Sequence, residues 1–226
     1  MLSIVIIARN AAQTLPATLA SLMPGVSAGL VKEAILVDCG SEDATRAIAD
    51  EAGCVIVEST PGRGRQLRAG GEAARAPWLL FLHADTRLAS GWEEEALAFM
   101  NRPDADDRAG AFTLAFDDAS LPARWVAFWA GLRARILKLP YGDQGLIISR
   151  TLYDALGGYR ELPLMEDVEI VRRIGGRRLL ILKTRAITSG AKFRRDGYLR
   201  RASRNLVLLS RYLLGADPHE LARRYD

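Results

Sequence analysis

The sequence has few cysteines and few prolines, and each shortage excludes a class of protein. Two cysteines among 226 residues can form neither a disulfide framework nor a four-ligand zinc site. Nine prolines are too few for a proline-rich chain. Cys39 and Cys54 both lie in apolar runs, which predicts buried thiols in a reducing compartment.

Long apolar runs are also missing. No uninterrupted stretch of about twenty apolar residues occurs, so the sequence predicts no membrane-spanning segment. The opening MLSIVII is followed at once by Arg9 and Asn10, is too short for a signal peptide, and reads as a first strand. We therefore expect a cytoplasmic protein. The basic residues are scattered and belong to no recognised nucleic-acid module, so no nucleic-acid partner is expected.

What the chain does have is an ordinary globular composition, with 49% apolar and 26% charged residues. A chain of this length buries a sizeable core. No internal repeat, linker or low-complexity segment divides it, which predicts one domain over residues 1–226. Only four of the 31 basic residues are lysine, and this bias favours the forked contacts that arginine makes with phosphates or carboxylates.

The first ninety residues alternate short apolar runs with helical patterns. Buried-strand runs are predicted at 3–7, 34–37, 54–57 and 78–82, with a helical pattern between each pair. Strand–helix–strand repetition of this kind predicts a three-layer α/β fold around a parallel sheet. In the less regular second half, strands at 109–116, 145–149 and 179–183 would complete a mixed, mostly parallel sheet.

Two predicted helices in the second half carry large apolar side chains beside arginines. In the helix at 121–138, Trp125, Phe128 and Trp129 share one face, which we interpret as core more readily than as a platform for stacking a sugar. The segment 197–214 predicts a basic amphipathic helix. Such a helix can lie on an anionic membrane surface, or pack on the domain or on a partner subunit of a homodimer.

Polar residues follow three of the early strands. Strand one ends in Ala8-Arg9-Asn10, strand two in Asp38, and strand four in His83-Ala84-Asp85. Ligands of open α/β sheets bind beyond the carboxyl ends of the strands. Strand one is followed by no G-x-G-x-x-G motif and the chain has no P-loop, which disfavours dinucleotide and P-loop chemistry.

The strings SIVIIARN, VDCGSEDAT, FLHADT and MEDVE, in this order and spacing, resemble the family 2 glycosyltransferases of the GT-A fold. GRGRQLRAG and YGDQG resemble a compact bacterial branch of that family. The resemblance covers about the first 175 residues and implies a Rossmann-like GT-A fold. In it, residues 1–100 would bind the nucleotide, and residues 101–226, including the C-terminal helices, would form the acceptor half. It also implies inverting transfer of a sugar from a nucleoside-diphosphate donor to a lipid-linked or glycan hydroxyl, assisted by Mg²⁺ or Mn²⁺.

The resemblance implies roles for residues on the donor side. Ala8 and Arg9 would border the donor, and Asp38 would contact its base, although Asp38 could instead only shape the turn that follows. Asp85 takes the second acid position of the family's D-x-D motif and would bind the metal. The first acid is replaced by His83, which could still hydrogen-bond the ribose; this departure leaves metal dependence less secure.

Three arginines in the GRGRQLRAG string add a second departure. Arg63, Arg65 and Arg68 could pair with diphosphate oxygens, although the family commonly has asparagine where Arg68 stands. A solvated basic face is the equally open alternative.

On the acceptor side, the family's Glu-Asp pair corresponds to Glu166 and Asp167. Asp167 is the expected general base and Glu166 the second candidate, because an attacking hydroxyl must lose its proton. Asp143 and Gln144 could bind sugar hydroxyls, or belong to a plain turn.

Two other functions remain open at this point. A catalytically inert domain that binds a sugar nucleotide or a partner would explain His83 and Arg68. A nucleotidyltransferase would require a glycine-rich basic loop after strand one, and the sequence has none there.

Overall fold

Eight strands form one mixed sheet in the computed structural model, which describes residues 1–223. They are β1 (Leu2–Ala8), β2 (Val31–Asp38), β3 (Val55–Glu58), β4 (Trp78–His83), β5 (Thr86–Leu88), β6 (Ala109–Phe116), β7 (Leu146–Ser149) and β8 (Leu179–Thr188). Their order across the sheet is β3-β2-β1-β4-β7-β6-β8-β5. Strands β7 and β5 run antiparallel to their neighbours and all other pairings are parallel, which confirms the mostly parallel mixed sheet.

Helices cover both faces of this sheet. They are α1 (Leu15–Ser27), α2 (Thr45–Glu51), α3 (Arg63–Ala73), α4 (Trp92–Met100), α5 (Leu121–Ile136), α6 (Arg150–Ala155), α7 (Glu166–Ile174), α8 (Ala191–Asp196), α9 (Tyr198–Leu213) and α10 (Pro218–Ala222). Across residues 1–223, no helix combines the length and apolar character needed to cross a membrane.

Alternate residues of the central strands supply two separate cores. Ile4 and Ile6 of β1 pack in a cluster with α1, α2 and α4, whereas Val5 and Ile7 pack on the opposite face with α3, α6 and α7. Every residue of β1 is buried, as expected for a strand covered on both faces. The three-layer arrangement predicted from the sequence is confirmed.

The sheet reverses its winding between β1 and β4, and this reversal fixes where a ligand can bind. Strand β1 pairs in parallel with β2 on one side and with β4 on the other. Ala8 is level with Asp38, and Ile7 is level with His83, so the carboxyl ends of the three strands meet at one edge. Such switch points form the crevices in which α/β proteins bind ligands.

Four short elements were not predicted from the sequence pattern, one in the first half of the chain and three in the second. Strand β5 and helices α6, α8 and α10 are all shorter than seven residues, so they carry too little periodicity to detect. The assignment of the α5 aromatic residues to the core is wrong. Trp125, Phe128 and Trp129 are about half exposed or more, while Ala123, Val126, Ala130 and Ala134 of the same helix are buried.

Candidate active site

A cavity of about 120 Å³ lies at the edge of the sheet where β4 and β8 end. The segment around the short 3₁₀ turn Gly142–Gln144 and the first turn of α7 close its sides. Charged and polar side chains make up most of its lining: Arg63, His83, Asp85, Asp143, Asp167, Lys192 and Asn205. Five of the residues predicted from the sequence for donor, metal, base and substrate contacts, Arg63, His83, Asp85, Asp143 and Asp167, therefore line one cavity.

Asp167 stands in the first turn of α7 and is fixed from two directions. Its Oδ2 accepts a 2.7 Å hydrogen bond from the Gly142 backbone N–H, and its Oδ1 accepts one of 2.7 Å from Val168 N–H. These two backbone donors fix the orientation of the Asp167 carboxyl group at the helix N-terminus. Met165, directly before the helix, has the left-handed φ of 64°, a strained conformation that is typical of functional sites.

Glu166 behaves differently from its neighbour. Its side chain is almost completely buried, and burial, reinforced by the nearby Asp167 charge, raises the pKa of the Glu166 carboxyl to about 8. Glu166 is therefore protonated at neutral pH, whereas both oxygens of Asp167 accept backbone hydrogen bonds. Neighbouring carboxyls in unlike environments take different roles.

His83 enters the cavity as a neutral imidazole. Burial lowers its pKa to about 4, and the positive charge of Arg63 acts in the same direction. Its buried Nε2 atom has no hydrogen-bond partner among residues 1–223. A Cβ on Gly142 would lie only 2.9 Å from this nitrogen, so glycine is required for the close approach of the two segments. The orphan nitrogen and the tight fit point to a polar ligand in the cavity.

Asp143 is a second acid whose pKa the surroundings raise. Burial raises its pKa to about 6, and the charges of Asp167 and Asp85 add to the rise while Arg133 opposes it. Its Oδ1 atom makes no hydrogen bond within the described part of the chain. The elevated pKa of a cavity-lining acid is a further sign of a functional site.

A divalent cation fits this cavity only together with a ligand. Over residues 1–223 the structure contains no group of three or more histidine, cysteine, aspartate or glutamate side chains able to hold a metal ion. Asp85 offers a carboxylate, the oxygen ligand that Mg²⁺ and Mn²⁺ prefer, and the remaining positions would be filled by diphosphate oxygens and water. The residues present therefore fit a metal bound jointly with a nucleotide.

Asp38 lies under the turn that follows β2. Its Oδ2 accepts hydrogen bonds from the backbone N–H groups of Gly40 (3.2 Å) and Ser41 (3.0 Å), while the Ser41 hydroxyl bonds to Oδ1. These bonds support the interpretation that Asp38 shapes the turn, and its contact with the nucleotide base stays a prediction.

The Gln66 amide, which the sequence did not single out, donates to the carbonyls of Ala8 (3.1 Å) and Val37 (2.9 Å) and joins the ends of β1 and β2. Arg9 is exposed beside them.

The structure separates the three arginines of the GRGRQLRAG segment, which begins helix α3. Arg63 lines the cavity. Arg65 instead donates to Glu161 (3.1 Å) and Thr60 (2.7 Å), and Arg68 forms an ion pair with Glu72 at 2.9 Å. A role for Arg65 and Arg68 at the diphosphate stays a prediction, and in these positions both are engaged by acids.

Gln144 is also placed away from the cavity lining. Its side chain is fully buried, donates a 2.7 Å hydrogen bond to the Phe112 carbonyl and accepts one of 3.3 Å from Tyr141 N–H. These bonds tie the Gly142–Gln144 turn to β6 and thereby hold Asp143 and Gly142 in position.

Two residues that line the cavity, Lys192 and Asn205, were not predicted from the sequence. They lie on α8 and α9, and only the tertiary structure shows that these helices reach the site.

Residues 3–152 match the profile of glycosyl transferase family 2. The chain belongs to this family. The match covers β1 through β7 and the first residues of α6, and therefore includes His83, Asp85 and Asp143. The chain is accordingly an enzyme of the glycosyltransferase kind. No curated protein matches the sequence significantly.

Solved structures similar to this family 2 chain have the GT-A fold. S. aureus TarS residues 1–349 aligns with a TM-score of 0.64 at 15% identity, over 98% of this chain and 69% of that one. The same protein with UDP-GlcNAc aligns at 0.62 and 16% identity, over 83% and 58%. Glucosyl-3-phosphoglycerate synthase from Mycobacterium tuberculosis, with Mn²⁺ and UDP-glucose, aligns at 0.59 and 18% identity, over 84% and 69%. These similarities confirm the GT-A fold.

Proposed function

We propose that this family 2 glycosyltransferase transfers a sugar, with inversion at the anomeric carbon, from a nucleoside-diphosphate sugar to a hydroxyl acceptor. The observation that carries the proposal is that Asp167, Asp85 and His83 line one cavity at the carboxyl end of β4, one of the two strands of the switch point. A base, a metal-binding acid and a donor-contacting imidazole then surround the position of the reacting carbon.

Asp167 acts as the general base. The acceptor hydroxyl attacks the anomeric carbon as the bond from that carbon to the donor phosphate oxygen breaks, and the hydroxyl proton passes to Asp167. Attack from the face opposite the leaving diphosphate gives inversion. Protonated Glu166 cannot accept this proton at neutral pH, because its pKa is raised to about 8.

Arg63, Lys192 and Asp85 serve the departing diphosphate. Arg63 and Lys192 line the cavity and offset the negative charge that develops on the leaving oxygen. Asp85 would hold Mg²⁺ or Mn²⁺, which supplies Lewis-acid stabilisation of the diphosphate when bound. Neutral His83 keeps its unpartnered Nε2 for a donor hydroxyl.

A uridine nucleotide is the donor that we favour. Structures similar to this chain were solved with UDP-glucose and Mn²⁺, and with UDP-GlcNAc. The acceptor is a lipid-linked or glycan hydroxyl. Peripheral membrane contact through 197–214, homodimer formation and a cytoplasmic location stay predictions beside this proposal.

A thermal-shift panel tests the donor site. UDP, GDP, dTDP and CDP are each added with and without Mn²⁺ or Mg²⁺, and UDP with metal is expected to raise the melting temperature. A ligand at a hundredfold its dissociation constant stabilises the folded state by about 2.7 kcal/mol.

Asp85→Asn provides the informative variant for this panel, and Asp50→Asn, an exposed acid on α2, is its control. We expect Asp85→Asn to lose the metal-dependent part of the shift and Asp50→Asn to retain it. A wild-type protein that shows no shift with any nucleotide would refute the proposal.

A further inference from the structure

A large apolar groove runs between α5 and α9 and opens to solvent. Its volume is about 700 Å³, within the range of about 300–1,000 Å³ that small-molecule sites occupy. Its walls are Trp125, Trp129 and Ile136 from α5 and Leu199 and Leu206 from α9, all about half exposed or more. Large side chains of this type are normally covered by a ligand, a partner or a membrane when they cluster.

Three buried polar atoms lie along this groove without a hydrogen-bond partner in the part of the chain that the structure describes. They are Arg133 Nη2, Asp143 Oδ1 and Asn205 Oδ1. Arg133 is held in place by a 2.9 Å bond from its Nε to the Leu139 carbonyl and by stacking on Tyr141, with its Cζ 3.4 Å from the ring centroid. Unpartnered buried polar atoms are costly, so a donor and two acceptors here indicate a polar ligand group.

The polar end of the groove is continuous with the candidate active site. Tyr141, Asp143, Phe193 and Asn205 line both the groove and the cavity that contains Asp85 and Asp167. A molecule in the groove can therefore extend a hydroxyl toward Asp167 while its apolar part remains between the two helices.

We infer that the groove binds the hydrocarbon chain of the acceptor, with the hydroxyl-bearing head at Arg133, Asp143 and Asn205. This inference rests on the proposed function and selects a hydrocarbon-bearing acceptor over a free glycan. A hydroxyl donates one hydrogen bond and accepts up to two, so it can donate to one of the two orphan oxygens and accept from the orphan guanidinium nitrogen. A flat membrane surface or the face of a second copy would cover the rim but would not bring a polar group to these buried atoms.

Straight-chain alcohols from hexan-1-ol to decan-1-ol are suitable probes, read by tryptophan fluorescence. Trp125 and Trp129 line the groove, whereas Trp78 and Trp92 are buried in the core, so a change in emission reports groove occupancy. We expect a blue shift and an affinity that increases about fourfold per methylene. Absence of a shift, or an affinity independent of chain length, would overturn the inference.

Leu206→Gln and Val207→Gln form a matched pair on α9. The two side chains are 60% and 57% exposed, but only Leu206 belongs to the groove lining. Leu206→Gln should weaken octan-1-ol binding about tenfold, and Val207→Gln should leave it unchanged. Leu199→Gln, also in the lining, repeats the test should Leu206→Gln fail to fold.

Equal losses in Leu206→Gln and Val207→Gln would overturn the inference. Binding to phosphatidylcholine–phosphatidylglycerol vesicles that both variants weaken would identify a membrane-contacting face instead. A wild-type dimer that both variants dissociate in sedimentation would identify a second copy as the occupant.

The orientation of the chain is tested with UDP and Mn²⁺ by proton NMR of bound octan-1-ol. Because Asp85 and Asp143 line one cavity, the paramagnetic ion should broaden the protons beside the hydroxyl more than those of the terminal methyl. Equal or reversed broadening would overturn the inference while leaving the donor site intact. Alcohol binding without any nucleotide-dependent shift would instead remove the proposed function and, with it, the identification of the occupant as an acceptor.

Discussion

Helices α7 and α9 are both amphipathic in the sequence, and the fold uses their apolar faces in different ways. In α7, Val168, Ile170, Val171 and Ile174 are all buried. In α9, Leu208 and Leu209 are buried, but Leu199, Leu206 and Leu213 remain exposed. An apolar stripe therefore identifies a helix face that avoids water without showing whether protein or ligand covers it.

Helix α5 extends the comparison because it carries two apolar stripes. The small residues Ala123, Val126, Ala130 and Ala134 face the core, and the large aromatics point to the solvent and the groove. Small side chains allow a helix to pack closely on β6, and in α5 they leave Trp125 and Trp129 free to line a site. The larger stripe was the more conspicuous one in the sequence, and the structure places it at the surface and along the groove rather than in the core.

Replacing the proposed general base, Asp167 on α7, should have the largest effect on the rate of sugar transfer. Asp167→Asn cannot accept the acceptor proton, and we expect transfer to fall by about 10²–10⁴-fold with nucleotide binding retained. Glu166→Gln, the neighbouring isosteric change, should cost much less because Glu166 is already protonated at neutral pH. Initial rates and nucleotide affinities of both variants provide the check, and an equal loss in the two would reverse the assignment of the base.

Truncation of an apolar side chain distinguishes the covered stripe from the open one. Ile170→Ala on α7 should lower the free energy of unfolding by about 2–5 kcal/mol, because it leaves a cavity in the core. Leu206→Ala on α9 should change it by less than about 0.5 kcal/mol. Urea denaturation of both variants measures the difference, and similar losses would show that the α9 stripe contributes to the core.

The buried acid of α7 should make stability depend on pH. The folded pKa of Glu166 is about 8 against an ordinary value of 4.5, so the folded state binds more protons and stability falls as pH rises through this window. Glu166→Gln should flatten the decline, which we expect to be on the order of a few kcal/mol. Parallel curves of unfolding free energy against pH for the two proteins would contradict the raised pKa.

Substitutions of two glycines, Gly142 and Gly131, should have the smallest effects on transfer and stability. A Cβ on Gly142 would lie 2.9 Å from His83 Nε2 and 3.5 Å from Asp167 Oδ2, so Gly142→Ala should lower transfer about tenfold by displacing the turn. On α5 the nearest atom to a Cβ at Gly131 is 3.8 Å away. Gly131→Ala should leave transfer intact and stabilise the protein by about 0.5–1 kcal/mol. Rates and melting temperatures measure both, and unchanged transfer in Gly142→Ala would argue against the tight fit at His83.

The parallel part of the sheet could be predicted because each of its strands is a short, continuous apolar run with a helix on either side. The ends of those strands could be predicted as well, since polar residues such as Asp38 and Asp85 directly follow buried runs. The sequence could not predict that Arg63, rather than Arg65 or Arg68, lines the cavity. Their spacing on α3 is similar, and only the positions of Glu161 and Glu72 show which guanidinium groups are engaged elsewhere.

Asn205 shows the same limit on the acceptor side. It interrupts the apolar stripe of a basic amphipathic helix, which is the signal that could have singled it out. Its significance depends on the position of α9, because Asn205 and the Gly142–Gln144 turn line one cavity although about sixty residues separate them in the sequence.

By itself, the sequence determined the layered α/β architecture, the resemblance to family 2 glycosyltransferases and the residue types at the strand ends, because these depend on local periodicity and motif order. The tertiary structure alone decided which arginine faces the cavity, which carboxyl of the Glu166–Asp167 pair is buried and protonated, and which apolar stripe is left open beside the site. Those outcomes depend on burial and on long-range neighbours, and both are set by how the second half of the chain packs against the first.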